Sequence, residues 1–329
     1  MKTMKAAALT LAVVGLMLVS GCKRHSTKEV YYLISVNTAV PYWKTAAAGF
    51  NKAAAQYGVT ARVVGPENYD AQGELTELNN AVAAKPSGIL ISVADASVLQ
   101  PGIDAAESAG VPVITVDSDA AGSHRLYFIG TNNLEAGRLG GRRLGTALGG
   151  RGNVVFYTFE GQPNAEERLK GFKDALSAWP EIKIADVADI KSNPTSAFDK
   201  TQKYLAQTGA NKIDAFVSLD STSGPAVADA VSRGNGPKPL VIAWDISQAT
   251  LTRIKAGAIE ATVAQKPFTM GYVGLKALDE VFHYPPAKLD KDYSADSFSP
   301  YPVFVDTGTS LVDKHNVDIY IAAAAAEQK

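Results

Sequence analysis

The sequence has few of the residues that cross-link small folds or bind metals. Its 329 residues include one cysteine, Cys22, and four histidines. A single cysteine excludes an intramolecular disulfide, and the histidines are widely scattered along the chain, so neither residue type predicts a metal cluster. No segment matches the D-x-[DN]-x-[DN]-G pattern of a calcium loop. We therefore expect no metal ion and no cofactor.

The sequence also lacks an excess of either positive or negative charge. Charged residues make up 20% of the chain and the formal net charge is −1, which argues against the basic surface that nucleic-acid binding requires. The sequence lacks a G-x-S-x-G motif, a Walker A motif and a G-x-G-x-x-G motif after a strand. Its His, Asp and Ser residues show no spacing typical of catalysis. These absences predict a protein that is not an enzyme and does not bind nucleic acid.

A single long apolar run stands at the N-terminus. Two lysines precede Ala6–Val19, a stretch of 14 small or apolar residues. The run is shorter than the roughly 20 residues of a membrane-spanning helix and has the pattern of a secretory signal peptide. It leads into Leu-Val-Ser-Gly-Cys, which resembles the bacterial lipobox, so we expect residues 1–21 to be removed and Cys22 to carry lipid. Residues 22–29 are then a polar tether. The alternative is an ordinary signal peptide followed by an incidental cysteine.

The rest of the chain alternates short apolar strands with amphipathic helices. A strand at Val30–Val36 precedes a helix at Tyr42–Tyr57, and the pattern restarts with a helix at Leu134–Leu148 and a strand at Asn153–Phe159. Strands of about five residues separated by longer helices indicate an α/β fold with parallel, doubly wound sheets. The length of the chain favours two domains.

Two β-α-β units in the chain follow similar patterns. The first runs from Gly88 to Asp117 and the second from Ala215 to Asp245, and each ends in an aspartate just after a strand. Asp220 follows the first strand of the second unit. Ligands of open α/β sheets bind at the carboxyl ends of the strands. The matching aspartates therefore predict one site that two lobes share across a cleft.

Several short segments, by their order and their spacing along the chain, resemble the type I periplasmic solute-binding proteins. The resemblance is in particular to the ribose/galactose-binding branch that serves ABC sugar importers. The segments are Pro41-Tyr-Trp, Pro112-Val-Ile-Thr-Val-Asp117, Gly130-Thr-Asn-Asn133, Gly161–Arg168 with Gly171-Phe172, Asp220, Asp245 and Ala261-Thr-Val-Ala-Gln265. The resemblance implies two lobes joined by a three-strand hinge. It assigns residues 30–131 and 266–294 to the N-terminal lobe and residues 132–265 and 295–312 to the C-terminal lobe. Residues 313–329 lie beyond the resemblance, and we expect them to form an extension with a short helix.

The resemblance also implies a set of sugar-binding residues. The expected ligand-binding residues are Tyr42, Trp43, Asp117, Ser118, Asp119, Gln162, Asn164, Arg168, Phe198, Asp220, Asp245 and Gln265. Aromatic rings are expected against sugar faces, and carboxylates, amides and a guanidinium against hydroxyls. Ser118-Asp119 stands where the ribose-binding pattern has an arginine. Gln162 and Asn164 stand where the glucose/galactose-binding pattern has His and Asp, so neither substrate is carried over. For Asp117, Asp220 and Asp245 the alternative is a turn or cap residue, and for Phe198 it is a core position.

The function implied is the substrate-binding component of an ABC-type sugar importer, which closes around a monosaccharide or similar polyhydroxy molecule. The expected partners are this ligand and a permease and ATPase complex. The protein is expected to be a monomer, exported and membrane-anchored through Cys22 in the periplasm or at the cell surface. One alternative is a sensor that presents its closed form to a membrane receptor or chemotaxis transducer. Another is an exported enzyme acting on polyols or glycosides. A signal peptide in place of a helix-turn-helix argues against a sugar-responsive repressor.

Overall fold

A computed structural model describes residues 25–327 of the chain. The expected signal peptide, residues 1–21, and the expected lipidation site, Cys22, lie outside these residues. Among the residues described, no helix combines the length and apolar character needed to cross a bilayer.

Strands and helices alternate from one end of the described chain to the other. The strands are β1 (Val30–Ile34), β2 (Thr60–Val64), β3 (Gly88–Ile91), β4 (Val113–Val116), β5 (Phe128–Gly130), β6 (Arg151–Thr158), β7 (Glu181–Asp189), β8 (Ala215–Ser218), β9 (Leu240–Trp244), β10 (Ala261–Ala264), β11 (Phe304–Asp306) and β12 (Ser310–Asp313). The α-helices are α1 (Pro41–Tyr57), α2 (Ala71–Ala83), α3 (Ala96–Ser108), α4 (Asn133–Ala147), α5 (Pro163–Leu176), α6 (Pro194–Leu205), α7 (Ser223–Arg233), α8 (Gln248–Lys255), α9 (Pro267–His283) and α10 (Val317–Glu327).

The strands form two six-stranded sheets of similar topology. The first sheet has the order β11-β5-β4-β3-β1-β2 and the second has the order β12-β10-β9-β8-β6-β7. All pairs are parallel except β10 with β12. Apart from its outermost strand β11 or β12, each sheet has the doubly wound order in which the second strand lies outside the first. The expected fold class, two doubly wound parallel-sheet lobes, is confirmed.

Local sequence signals explain where these elements form. The central strands β3, β4, β8 and β10 are buried along their whole length, as parallel strands covered by helices on both faces must be. Proline stands in the first turn of α1, α5, α6 and α9, where its missing N–H costs no hydrogen bond. Helix α1 ends at Gly58, whose φ of 71° suits glycine.

The chain passes between the lobes at three places. The crossings lie between β5 and α4, between β10 and α9, and between β11 and β12. The third crossing differs from the expectation that residues 295–312 belong to the C-terminal lobe. Strand β11 instead pairs with β5 of the first sheet, and the rings of Phe128 and Phe304 stack 5.2 Å apart. Pairing and stacking of β11 on the edge strand β5 keep the chain in the N-terminal lobe through Asp306.

Glycine allows one helix pair in each lobe to pack very closely. A Cβ atom added to Gly171 of α5 would lie 2.1 Å from the carbonyl oxygen of Leu134 in α4. In the other lobe, a Cβ atom on Gly271 of α9 would lie 2.0 Å from the carbonyl oxygen of Ala46 in α1. Both distances are shorter than van der Waals contact, so each helix pair requires glycine at these positions.

Candidate functional site

Two aspartates occupy matching positions in the two lobes. Asp117 follows β4 and Asp245 follows β9, and each is 7% exposed. Both have left-handed backbone conformations, with φ of 64° and 62°. The carboxyl ends of the two sheets face a common cleft, so one carboxylate from each lobe lies at its wall.

Asp117 connects residues of both lobes. The hydroxyl of Tyr42 donates a hydrogen bond of 2.6 Å to Oδ1 of Asp117. From the opposite lobe, Nδ2 of Asn164 lies 3.5 Å from its Oδ2. The Tyr42 ring is nearly perpendicular to that of Trp43, with centroids 5.3 Å apart. Polar and aromatic groups therefore meet at one side of the cleft.

Arg168 is held in a fixed orientation under the cleft. Its Nε donates to Oδ1 of Asn133 at 2.8 Å, and Nη1 donates to the carbonyl oxygen of Leu219 at 2.9 Å. Nη2 donates to Oε1 of Gln265 at 3.1 Å. The guanidinium carbon lies 4.4 Å from the centroid of Trp244, which is a buried core residue. Because the side chain is 4% exposed, these contacts fix a buried positive charge beside the two carboxylates.

Gln265 ties the second crossing to this charge network. Its amide nitrogen Nε2 lies 3.2 Å from both carboxylate oxygens of Asp245. Its Oε1 accepts from the hydroxyl of Thr131, which lies at the first crossing, at 2.9 Å. Gln265 thus lies at the second crossing and connects it, through Thr131, to the first crossing and, through Asp245, to the cleft wall.

Burial alters the protonation of the acidic groups in the cleft. Loss of hydration raises the pKa of Asp245 to about 7, although the positive charge of Arg168 acts in the opposite direction. Burial also raises the pKa of Asp117, and Arg168 and the hydroxyl of Tyr42 oppose that rise. The pKa of Tyr42 is raised by burial and by the neighbouring Asp117 charge. The carboxyl group of Asp245 can therefore accept hydrogen bonds, or donate one when protonated, near neutral pH.

The cleft holds nine of the twelve expected ligand-binding residues. It encloses about 600 Å³ of empty space, including space open to solvent. The expected residues that line it are Tyr42, Trp43, Asp117, Gln162, Asn164, Arg168, Asp220, Asp245 and Gln265. Asp220 also has a local role, because its carboxylate accepts hydrogen bonds from the backbone N–H groups of Thr222 and Ser223 and from both of their hydroxyls. It therefore holds the turn that begins α7.

Three expected residues lie outside the lining, and the side chains of two of them contact other groups. The carboxylate of Asp119 forms an ion pair with Arg125, with both contacts at 2.6 Å, and accepts from the hydroxyl of Thr115. Ser118 is 1% exposed behind Asp117. The Phe198 ring packs against Arg233, whose guanidinium carbon is 5.1 Å from the ring centroid. The assignments of Ser118, Asp119 and Phe198 to the cleft are therefore corrected.

Sequence reasoning missed several residues that line the cleft. These are Val36, Asn37, Val40, Tyr69, Ser192, Ser221 and Thr222. Asn37 closely follows β1, and Ser221 and Thr222 follow Asp220, so a search of every residue after a strand would have found these three. Tyr69 gives no such signal. Its ring meets that of Phe159 from the other lobe, with centroids 4.4 Å apart.

Two histidines that are far apart in the sequence lie close together in the fold. His25 and His283 lie at opposite ends of the sequence, but the fold brings both beside Asp279. Their candidate ligand atoms all lie within 4.8 Å of one another. Distance along the chain was a poor guide because α9 packs beside β1 and the residues that precede it.

The fold and the site together define a class of protein. Its members are two-lobed α/β receptors with a polar cleft at the hinge. The chain belongs to the periplasmic binding protein domain family, which matches residues 31–283. The ribose import binding protein of Bacillus subtilis is 25% identical over 264 residues, which cover 78% of this chain and 83% of that protein.

Solved structures of similar proteins share this architecture. The sugar-binding protein of a sugar ABC transporter from Bacillus halodurans is 32% identical, with a TM-score of 0.78, covering 89% of this chain and all of that one. An ABC transporter solute-binding protein from Burkholderia graminis, in complex with D-arabinose, is 27% identical, with a TM-score of 0.77, covering 88% of this chain and 96% of that one. The relatives described here are named as binding proteins.

Proposed function

We propose that this protein is the substrate-binding component of an ABC-type sugar importer and that it binds a monosaccharide or similar polyhydroxy molecule between its lobes. The observation that carries the proposal is the arrangement of Asp117, Asn164, Arg168 and Asp245 around one cleft beside Tyr42. Carboxylates accept hydrogen bonds from hydroxyls, while guanidinium and amide groups donate to their oxygens. An aromatic ring offers a face to the C–H surface of a sugar.

Family relationships support the same ligand class. The similar proteins bear the names of ribose import and sugar ABC transporter binding proteins, and one holds D-arabinose. In this proposal the sugar contacts both lobes and stabilises the closed form by binding it more tightly than the open form. A permease and ATPase complex then recognises the closed protein.

The proposal includes export and a lipid anchor. The pattern that ends in Cys22 supports cleavage before this residue and lipidation of its thiol, which would hold the protein at a membrane facing the periplasm or the cell exterior. Mass spectrometry of the mature N-terminus tests the anchor, and an unmodified Cys22 thiol in the exported protein would contradict it.

A pair of neighbouring aspartates gives a matched test of the binding site. D-ribose, D-arabinose, D-xylose and D-galactose are titrated by calorimetry into the wild-type protein and the variants Asp117→Asn and Asp119→Asn. We expect at least one of these sugars to bind. For that sugar, Asp117→Asn should raise the Kd at least about tenfold, because it removes a buried charged acceptor.

Asp119→Asn serves as the control for the same chemical change two residues away. Its carboxylate pairs with Arg125 outside the cleft, so this variant should lower the free energy of unfolding and leave the Kd unchanged. An unchanged Kd in Asp117→Asn would show that the carboxylate of Asp117 does not contact the sugar. An equally raised Kd in Asp119→Asn would show that the effect is not specific to a carboxylate in the cleft.

A further inference from the structure

Exposed apolar side chains are concentrated in one segment of the N-terminal lobe. Among the described residues, seven large apolar side chains are exposed to solvent, and four of them lie between residues 282 and 303. These four are Phe282, Tyr284, Phe298 and Val303, and Phe298 is 95% exposed. Single exposed apolar residues need no explanation, whereas a group of them marks an interaction surface.

This segment lies at the base of the lobe, which is the end opposite the cleft. It connects the end of α9 to the start of β11. The ring of Tyr301 stacks on that of Tyr127, which directly precedes β5, and contacts that of Tyr293 edge-on. The carbonyl oxygen of Val303 accepts a hydrogen bond of 3.2 Å from the first residue of β5. We use the term basal patch for the exposed side chains of Phe282, Tyr284, Phe298 and Val303.

The expected tether is attached to the lobe at the same end. The hydroxyl of Thr60 donates a hydrogen bond of 2.8 Å to the carbonyl oxygen of Thr27. Nε2 of His25 lies 3.0 Å from Oδ2 of Asp279 on α9, four residues before the end of this helix. The His25 ring also stacks on that of Tyr57, with centroids 4.7 Å apart and planes 3° from parallel. The chain is therefore attached to the base of the lobe from His25 onward.

The expected lipid anchor precedes this attachment by three residues. A fully extended chain advances by at most about 3.6 Å per residue. The Cα atoms of Cys22 and His25 are therefore separated by no more than roughly 11 Å. Lipid chains on the thiol of Cys22 would hold this residue at the surface of a bilayer. With so short a connection, the base of the N-terminal lobe would lie next to the lipid headgroups.

The chemistry of the base suits the interfacial region of a bilayer. Tyrosine is enriched at the level of the headgroups, and phenylalanine is typical of surfaces that insert among them. The tether adds the positive charges of Lys23, Arg24 and Lys28, which anionic headgroups attract. Residues 285–303 include two lysines and three aspartates, so the charge of this loop is nearly balanced and hardly opposes contact.

We infer that the basal patch contacts the lipid bilayer when the protein is anchored, and that the cleft then faces away from the membrane. The inference rests on the lipid anchor of the proposed function and adds the surface through which the lobe meets the membrane. Lipid is the favoured occupant because the short tether keeps the patch beside the bilayer at high effective concentration. A second copy of the chain or a permease has no such connection to the patch.

The single cysteine of the chain allows the anchor to be supplied chemically. Residues 22–329 are coupled through the thiol of Cys22 to a maleimide lipid in vesicles of phosphatidylcholine and phosphatidylglycerol, and flotation confirms the attachment. Phe298→Trp places a tryptophan in the basal patch. Ile319→Trp places one at a 70% exposed position on α10, a helix that packs on the core of the other lobe.

Brominated phospholipids quench tryptophan fluorescence only in direct contact, so they show which position meets the bilayer. In vesicles of brominated lipid, Phe298→Trp should lose most of the emission that its added tryptophan contributes. Ile319→Trp and the wild type should keep theirs. Protein whose Cys22 thiol is blocked before mixing stays in solution and should show no quenching.

Unchanged melting temperatures of the two tryptophan variants show that both are folded, because both positions are exposed. Absence of quenching in vesicle-bound Phe298→Trp, or equal quenching in vesicle-bound Ile319→Trp, would overturn the inference. Because the anchor is supplied chemically, neither result depends on whether cells attach lipid to Cys22. Mass spectrometry of the native N-terminus decides that question separately.

Discussion

At the scale of single residues, the two strand-end aspartates of the cleft share a left-handed backbone conformation. A left-handed conformation costs a residue other than glycine of order 1–3 kcal/mol, although Asp tolerates it better than most. Both conformations are fixed by neighbouring strands: the N–H of Asp117 donates to Ile129 O at 3.1 Å, and that of Asp245 donates to Val263 O at 2.8 Å. The same local structure thus appears once in each lobe and places a carboxylate at each cleft wall.

The raised pKa of Asp245 predicts how stability depends on pH. In the unfolded chain this carboxyl has an ordinary pKa of about 3.9, and in the folded protein its pKa is about 7. The folded state therefore binds the proton more strongly. The resulting stabilisation is complete below about pH 4 and is lost as the pH rises to about 7.

Asp245→Asn should remove this dependence because an amide does not titrate in this range. Urea unfolding at several pH values should show the variant gaining stability relative to the wild type as the pH rises from about 4 to about 7. We expect the gain to reach a few kcal/mol. A constant difference between the two proteins across this range would contradict a raised pKa for Asp245.

At the scale of elements, helix α5 positions two cleft residues through its contact with α4. Asn164 and Arg168 lie one turn apart on α5, and Nε of Arg168 donates to Asn133 at the start of α4. Gly171 allows the two helices to approach closely enough for this bond. The position of the guanidinium therefore depends on a glycine that does not touch the cleft.

Gly171→Ala should lower both stability and affinity. The added methyl group would overlap the carbonyl oxygen of Leu134, and overpacking of this kind typically costs about 1–3 kcal/mol. Relief of the overlap moves α5 away from α4 and displaces Arg168, so the Kd for the bound sugar should rise as well. Thermal unfolding and calorimetry measure the two effects.

Lys170→Ala provides the control because Lys170 is exposed on the same helix. It should change neither the melting temperature nor the Kd appreciably. If Gly171→Ala lost stability but kept the wild-type Kd, the helix contact would support the fold without positioning Arg168.

Elements and single side chains differ in how far the sequence predicts them. Strands β1 (Val30–Ile34) and β6 (Arg151–Thr158) lie where the apolar runs Val30–Val36 and Asn153–Phe159 predict them, because a short apolar run is a local property of the sequence. The ion pair of Asp119 with Arg125 and the packing of Phe198 on Arg233 depend on which side chain faces which neighbour. The pairing of β11 with β5 depends on contacts between distant segments. A pattern along the chain shows neither which side chains face each other nor which distant segments pair.

At the scale of the whole molecule, the two lobes contact each other across the cleft. Asn164 of one lobe reaches Asp117 of the other, and the rings of Tyr69 and Phe159 meet across the same boundary. These contacts belong to a closed arrangement, since moving the lobes apart about the three crossings would break them. They stabilise the closed form whether or not they touch a ligand.

Phe159 offers a test of closure that is separate from ligand contact, because it meets Tyr69 but does not line the cleft. An aromatic pair contributes about 0.5–1.5 kcal/mol beyond its buried area, so Phe159→Ala should raise the Kd roughly two- to tenfold. Most of the change should appear as faster sugar release in stopped-flow fluorescence, because the loss weakens the closed form.

Phe198→Ala removes an aromatic ring of the same size and similar burial from the same lobe. Phe198 packs on Arg233 away from the cleft, so this variant should keep the wild-type rate of release. The resemblance to sugar-binding proteins assigned a ligand contact to Phe198, whereas the structure assigns a role in closure to Phe159. Faster sugar release in Phe198→Ala, with no change in Phe159→Ala, would favour the ligand contact that the sequence assigned to Phe198. It would also contradict a role for the contact between Tyr69 and Phe159 in holding the lobes together.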